Sequence, residues 1–350
     1  MASSVYYKNY LELDTLLNAQ HPESEKAGKP AHDEMLFIIV HQTYELWFKQ
    51  ILHELNSIRH LFSQQAINDN APDMQVAVHR LKRVAAILQV LVHQIDVLET
   101  MTPLDFLDFR DLLRPASGFQ SYQFKIIEAV LGLKFEQRFE QNYYVSHLRP
   151  EELEQVRQAE RQPSLLHLVQ LWLERMPFLY QPEWWNDYHP VAPGNEAGNF
   201  WTDYRWLYQQ SLSAEEQNNL EFFDEVLLRG SSAPGRLTPA ASRSALFIML
   251  YRDFPMLQLP FQLINTLLDL DELMALWRYR HLNMVQRMIG SRIGTGGSSG
   301  KHYLKGALER HYIFSAFAEL TTFLIERSRL PQLPLQLQQA LGYSFERRAP

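Results

Sequence analysis

The chain of 350 residues contains no cysteine. That one absence removes disulfides, thiolate nucleophiles, iron–sulfur clusters, cysteine-held zinc and thiolate-ligated haem. Any metal would have to be held by histidine or carboxylate, and thirteen histidines are available. No uncharged run reaches the roughly 18 residues needed to cross a bilayer, and no signal-peptide pattern opens the chain, so no membrane partner and a cytoplasmic location are expected. Basic blocks are missing and the net charge is −7, which argues against nucleic acid as a partner.

Two carboxylate–histidine signatures are absent as well. No glutamate is followed by histidine three residues later, so a di-iron carboxylate bundle lacks its ligand pattern. His53-Glu54 runs into Leu55-Asn56-Ser57, so zincin chemistry is excluded too. Among metal cofactors haem survives this elimination, and a protein with no cofactor is not eliminated.

What is present is helical periodicity. Leu36, Val40, Tyr44, Trp47, Ile51, Leu55, Ile58 and Phe62 step by three or four residues behind Asp33 and Glu34, which predicts one long helix. After the break at 70–73 a second helix places Leu81, Val84, Leu88, Leu91, Ile95 and Leu98 on one face. Thr102-Pro103 caps a short helix that Pro115 stops, and Ser117 caps another running to Gly132. Further helices are expected at about 150–161, 164–176, 200–212, 213–228, 242–254 and 261–289, with one long final helix over 303–330. No segment alternates apolar and polar residues with period two. The fold class is therefore all-α, with one principal domain over 1–350 and a small inserted helical subdomain within 133–240.

Candidate site residues sit inside that pattern. Leu270, Met274, Trp277, His281, Met284 and Met288 share one helical stripe, so His281 lies in an apolar seam, where a ring nitrogen needs a metal or a carbonyl as partner. Six glycines and serines follow in the seven positions Gly294–Gly300. They are not a P-loop, because Thr295 stands where glycine is required, His302 replaces the magnesium-binding hydroxyl, and a helix precedes them rather than a strand. A linker or a substrate-closing loop remains. His41, four residues after Phe37, is a second histidine in an apolar setting, and two such histidines could be core residues or could face each other across a haem. Arg110, one turn after Phe106, could fork a carboxylate or pair with Asp108 or Asp111. Tyr6, Tyr7 and Tyr10 are loosely ordered or packed on a neighbour.

Three of these stretches, His32–Trp47 (HDEMLFIIVHQTYELW), Thr100–Gln120 (TMTPLDFLDFRDLLRPASGFQ) and Trp277–Gly300, closely resemble the tryptophan 2,3-dioxygenase family in content and order. The likeness covers about 7–132 and 242–330, and is loose over 133–240. It implies long helices enclosing a haem pocket, and a reaction in which O2 cleaves the indole 2,3 bond of L-tryptophan to give N-formylkynurenine, the first step of the kynurenine pathway. It implies haem b with His281 as the iron ligand, His41 beside the indole nitrogen, and Phe37 and Phe106 as the walls of the indole pocket. Leu113, Ser117 and Gly118 would lie near haem and substrate, Arg110 would grip the substrate carboxylate, and Thr295 would engage its ammonium and carboxylate. Tyr7 and Tyr10 would reach the neighbouring subunit's pocket, which implies a homotetramer. Lys125 stands where the family pattern has arginine. Two alternatives remain at this level: a haem-dependent hydroxylase that keeps His281 and changes the pocket, against which Arg110 and Thr295 stand, and a helical scaffold without haem.

Overall fold

A computed structural model of the chain describes residues 4–64, 72–231, 235–294 and 301–342. All regular structure among them is helical, with no strand, as the absence of period-two patterning requires. Three long helices form the frame: α1 (Glu34–Phe62), α2 (Pro72–Leu98) and, later in the chain, a 35-residue helix over Pro255–Ile289. Between them come α3 (Pro103–Arg110), α4 (Tyr122–Leu131), α5 (Pro150–Arg161), α6 (Leu165–Glu174), α7 (Phe200–Ser211) and α8 (Pro239–Leu250). The 35-residue helix is then α9, and α10 spans Lys301–Arg310.

Helix α2 packs along both α1 and α9, and these are the two most extensive helix pairings. The predicted stripes make the seams: Ile51, Leu55 and Ile58 of α1, Leu81 of α2 and Leu263, Leu267 and Leu270 of α9 are fully buried. Each such side chain contributes about 1.5–3 kcal/mol by leaving water. One position departs from the expected stripe. Trp47 is exposed, and Phe48 takes its place in the core against Phe124. Apolar residues of 133–240, among them Leu165, Val169, Trp172, Tyr204 and Tyr208, join the same core as the long helices.

Local sequence sets most of the ends. Thr102 and Asp105 form a reciprocal capping box at α3 with Pro103 in its first turn. The stretch from Ser117 is not one helix: Ser117 and Gln120 close a single 3-10 turn over Gly118–Gln120, and Ser121 then caps α4. Gly132 ends α4 at φ +145°, and a Cβ there would lie 2.9 Å from Cβ of Leu166, so glycine lets α6 approach. Glu34 does not act as a simple first-turn anion; its carboxylate accepts the N–H groups of Glu23 and Ser24 and so ties the N-terminal segment to α1.

Two expected helices are broken up. Residues 213–228 divide into a 3-10 turn, Asn219–Asp224 and a wider turn over Glu225–Arg229. The single helix expected over 303–330 stops at Arg310 and resumes only in short pieces, Ser315–Glu319 and Leu320–Phe323. For the second the cause is tertiary. The buried carboxylate of Asp271 accepts the N–H of Ile313 at 3.0 Å and of Phe314 at 2.5 Å, holding the chain in a turn. Replacing Asp271 with Ala leaves two buried N–H groups unpaired, and the unfolding free energy in urea should fall by about 2–4 kcal/mol; a loss below about 0.5 kcal/mol, the range of an inert surface change, would refute that role.

Candidate active site

The stripe on α9 and the first turns of α1 face each other across a cavity of about 270 Å³. Its lining brings together Phe37, His41, Phe106, Arg110, Ser117, Gly118 and His281. These residues come from α1, α3, the 3-10 turn over Gly118–Gln120 and α9, segments up to some 240 positions apart in the chain. Leu113 is half-buried, packs against the core and stands outside the lining. Tyr7 and Tyr10 lie on a four-residue helix and are exposed. Thr295 falls outside the described residues, while Gly294 before it borders the cavity.

The aromatic wall is built by helix spacing. Phe37 sits one turn before His41, and their ring centroids are 4.1 Å apart. Phe106 stacks on Phe37 at 5.7 Å, and Phe109 meets both rings edge-on. Nδ1 of His41 lies 2.7 Å from the Phe37 carbonyl oxygen, which can only accept, so Nδ1 carries the proton and Nε2 keeps a lone pair. Burial lowers the pKa of His41, with the Phe37 carbonyl and Glu45 opposing the shift.

On the other side, the ring of Trp277 is nearly parallel to that of His281, at 4° and 5.2 Å between centroids. Nδ1 of His281 is buried without a hydrogen-bond partner. Burial lowers its pKa to about 4, and His41 pushes in the same direction. Both imidazoles are therefore neutral bases at neutral pH, in a setting where an unpaired ring nitrogen is costly.

Arg110 is 4 % exposed and yet has no carboxylate partner among the described residues. The salt bridge with Asp111 that the sequence allowed is not formed, because Asp111 pairs with Arg114 at 3.2 Å. The Arg110 guanidinium donates to the carbonyl of Ile293, and its Nε has no acceptor. A buried cation with donors to spare, bordered by aromatic rings, suits a ligand that carries both a carboxylate and a flat apolar body.

The sequence reading missed a cluster of charges in the same wall. Glu128 of α4, fully buried, accepts from Arg138 at 2.5 Å and from Arg278 at 2.7 Å. His311 points Nδ1 at the same carboxylate at 3.5 Å and accepts the N–H of Phe139 on Nε2 at 3.0 Å. The guanidinium groups hold the Glu128 carboxyl well below its ordinary range despite burial. Nothing in the spacing of these four residues marks them as neighbours, since they meet only when α4, the loop bearing Arg138, α9 and the turn after α10 converge.

Comparison with known proteins decides the family. The chain matches the tryptophan 2,3-dioxygenase family over residues 1–324. It is 44 % identical to the tryptophan 2,3-dioxygenase of Bdellovibrio bacteriovorus, with 97 % of this chain and 99 % of that one covered. The chain belongs to the tryptophan 2,3-dioxygenase family. The enzyme of Dictyostelium discoideum is 43 % identical over 97 % of this chain and 89 % of its own length. Tryptophan 2,3-dioxygenase B of Danio rerio is 42 % identical, covering 94 % and 84 %. The family's name and the cavity's chemistry agree, for tryptophan joins a carboxylate to a flat indole. No single helix among the described residues is long and apolar enough to cross a membrane.

The electrostatics of His41 can be checked directly. Its protonation is disfavoured by burial, so the neutral form persists below pH 6.5, and an NMR titration of the His41 ring should place its midpoint under that value. A midpoint at or above 6.5 would contradict the buried, accepting imidazole described here.

Proposed function

We propose that this chain binds haem b through His281 and uses O2 to cleave the indole 2,3 bond of L-tryptophan, giving N-formylkynurenine. The observation that carries this reading is Arg110, a buried cation with no carboxylate partner among the described residues, set in an aromatic-lined cavity between two neutral imidazoles. The residues present suit the cofactor. His281 offers an uncharged ring with an unpartnered nitrogen in an apolar wall, and a Cβ placed on Gly118 would meet nothing within 4 Å, leaving open space along that backbone. Among the described residues no three histidine or carboxylate side chains gather into a separate metal site. When bound, ferrous haem supplies the activation of dioxygen, which no side chain here can perform.

The protein's part is to bind and orient. Arg110 forks the substrate carboxylate, displacing the Ile293 carbonyl, and Phe37 and Phe106 hold the indole plane. Nε2 of His41, the acceptor left by the bond to Phe37, takes a hydrogen bond from the indole N–H and so fixes which edge of the ring faces the reacting centre. The surrounding apolar side chains exclude water. Both oxygen atoms end in the product, one in the formyl group and one in the ketone, so turnover consumes no external reductant.

The same reading includes Ser117 and Gly118 beside the haem and substrate with Leu113 behind them, Thr295 at the amino-acid head group, and 133–240 as a small helical insert on a single domain. It also includes a cytoplasmic homotetramer in which Tyr7 and Tyr10 enter a neighbour's pocket. Exposure of 75 % and 74 % for two tyrosines on one short helix supports a role outside their own chain, and the negative net charge supports the expectation that nucleic acid is not a partner.

Two substitutions test the assignment. Arg110→Ala removes a charge-assisted pair and should raise KM for L-tryptophan about 10- to 100-fold, while leaving the binding of tryptamine, which lacks the carboxylate, unchanged; equal effects on both ligands would remove Arg110 from the carboxylate role. His41→Ala should reduce turnover without abolishing it, and should narrow the discrimination against 1-methyl-L-tryptophan, which has no N–H to donate. Complete loss of activity with haem retained would overturn positioning in favour of an obligatory base.

A further inference from the structure

The charged cluster in the cavity wall does not balance. Lys125, Arg138 and Arg278 are each at least nine-tenths buried, and among the described residues the only fully buried anion beside them is Glu128. Glu128 is committed to both guanidinium groups, and Glu160, half-buried, adds a second bond to Arg138 at 3.3 Å. Two carboxylates against three cations leave one positive charge over, and the geometry shows which it is. Arg138 spends its donors on Glu128, Glu160 and the carbonyl of Lys125, and Arg278 spends its own on Glu128 and the carbonyl of His311. Among the described residues Lys125 forms no ion pair. Its Nζ donates to the carbonyl of Phe119 at 2.7 Å and lies 5.1 Å from the centre of the Tyr144 ring.

Lys125 is 7 % exposed and lines the same cavity as His281 and Arg110. An ammonium has three donor protons, and the Phe119 carbonyl uses one of them. A buried cation in this state either gives up its proton or receives an anion from a ligand. We infer that Lys125 is a second carboxylate-binding group of the cavity, and that its partner is a propionate of the haem. The inference rests on the haem reading above. The substrate's single carboxylate has its own cation in Arg110, whereas haem b carries two carboxylates into the same cavity. Burial draws the Lys125 pKa down to about 8, with Arg138 adding to the shift and Glu128 opposing it; an arriving carboxylate would favour the charged form.

The test uses the full-length apoprotein reconstituted with protohaem or with its dimethyl ester, whose propionates cannot carry charge. Haem loss to excess apomyoglobin is followed at the Soret band for wild type, Lys125→Met, Lys125→Gln and Lys125→Arg, each checked for helicity by circular dichroism. Wild type should hold protohaem longer than the ester. Lys125→Met and Lys125→Gln should each speed the loss of protohaem about tenfold or more and leave the ester's rate unchanged, while Lys125→Arg retains the preference for the acid. Equal acceleration for both porphyrins would make Lys125 a packing residue and overturn the proposal, as would no change for either. Unaltered haem loss with weakened L-tryptophan binding would assign the carboxylate to the substrate and also overturn it. A wild-type protein that takes up neither porphyrin would bring down the haem reading itself.

Discussion

Whether His281 meets the cavity depends on how helix α9 is rotated about its own axis, and the bonds around Glu128 constrain that rotation. Arg278 and His281 are three residues apart and therefore share a face of the helix. When the Arg278 guanidinium reaches Glu128 on α4 at 2.7 Å, the next turn carries the imidazole to the cavity wall. The same carboxylate binds Arg138, and Arg278 also reaches the carbonyl of His311, so one buried anion fastens the helix bearing the histidine to two neighbouring segments. A one-sided loss there would leave a buried charge without its counterpart, which is far more costly than losing a surface pair.

Around that clamp the site follows one physical rule: polar groups taken out of water are left with capacity that a ligand must complete. His41 spends one ring nitrogen on the Phe37 carbonyl and keeps the other as an acceptor. His281 keeps an unpartnered nitrogen, Arg110 keeps an unused donor, and Lys125 keeps a charge. Each would be a defect in a protein whose cavity stayed dry and empty. On the proposed reading they suit a ligand set with an acid group, an aromatic N–H and a flat carboxylate-bearing cofactor, held where apolar walls keep water from competing.

Much of this was readable in advance. The three frame helices, the cap at Thr102, the end at Gly132 and the placing of His41 and His281 in apolar seams follow from spacing and local chemistry, which act over three to five residues. In two of the readings that failed, a distant group intervened. Trp47 and Phe48 are equally apolar neighbours at the edge of a stripe, and packing against Phe124 chose the second. Residues 311–314 have no proline or glycine to stop a helix, and the carboxylate of Asp271, some forty positions earlier, stops it instead.

The sequence alone determined the all-α class, the exclusion of thiolate and carboxylate-bundle chemistry and the likeness to the family, and it singled out the histidines, phenylalanines and arginine that the structure brings to one cavity, because composition, motif and helical period are properties of neighbouring residues. Only the tertiary structure decided that Arg110 goes without an acidic partner among the described residues, that Nε2 of His41 is left by the bond to Phe37 as the acceptor, and that Glu128, Arg138, Arg278 and His311 meet beside Lys125. Those outcomes depend on which groups from separate helices share a small volume of low dielectric, where an unpaired proton or charge acquires its meaning from everything that surrounds it.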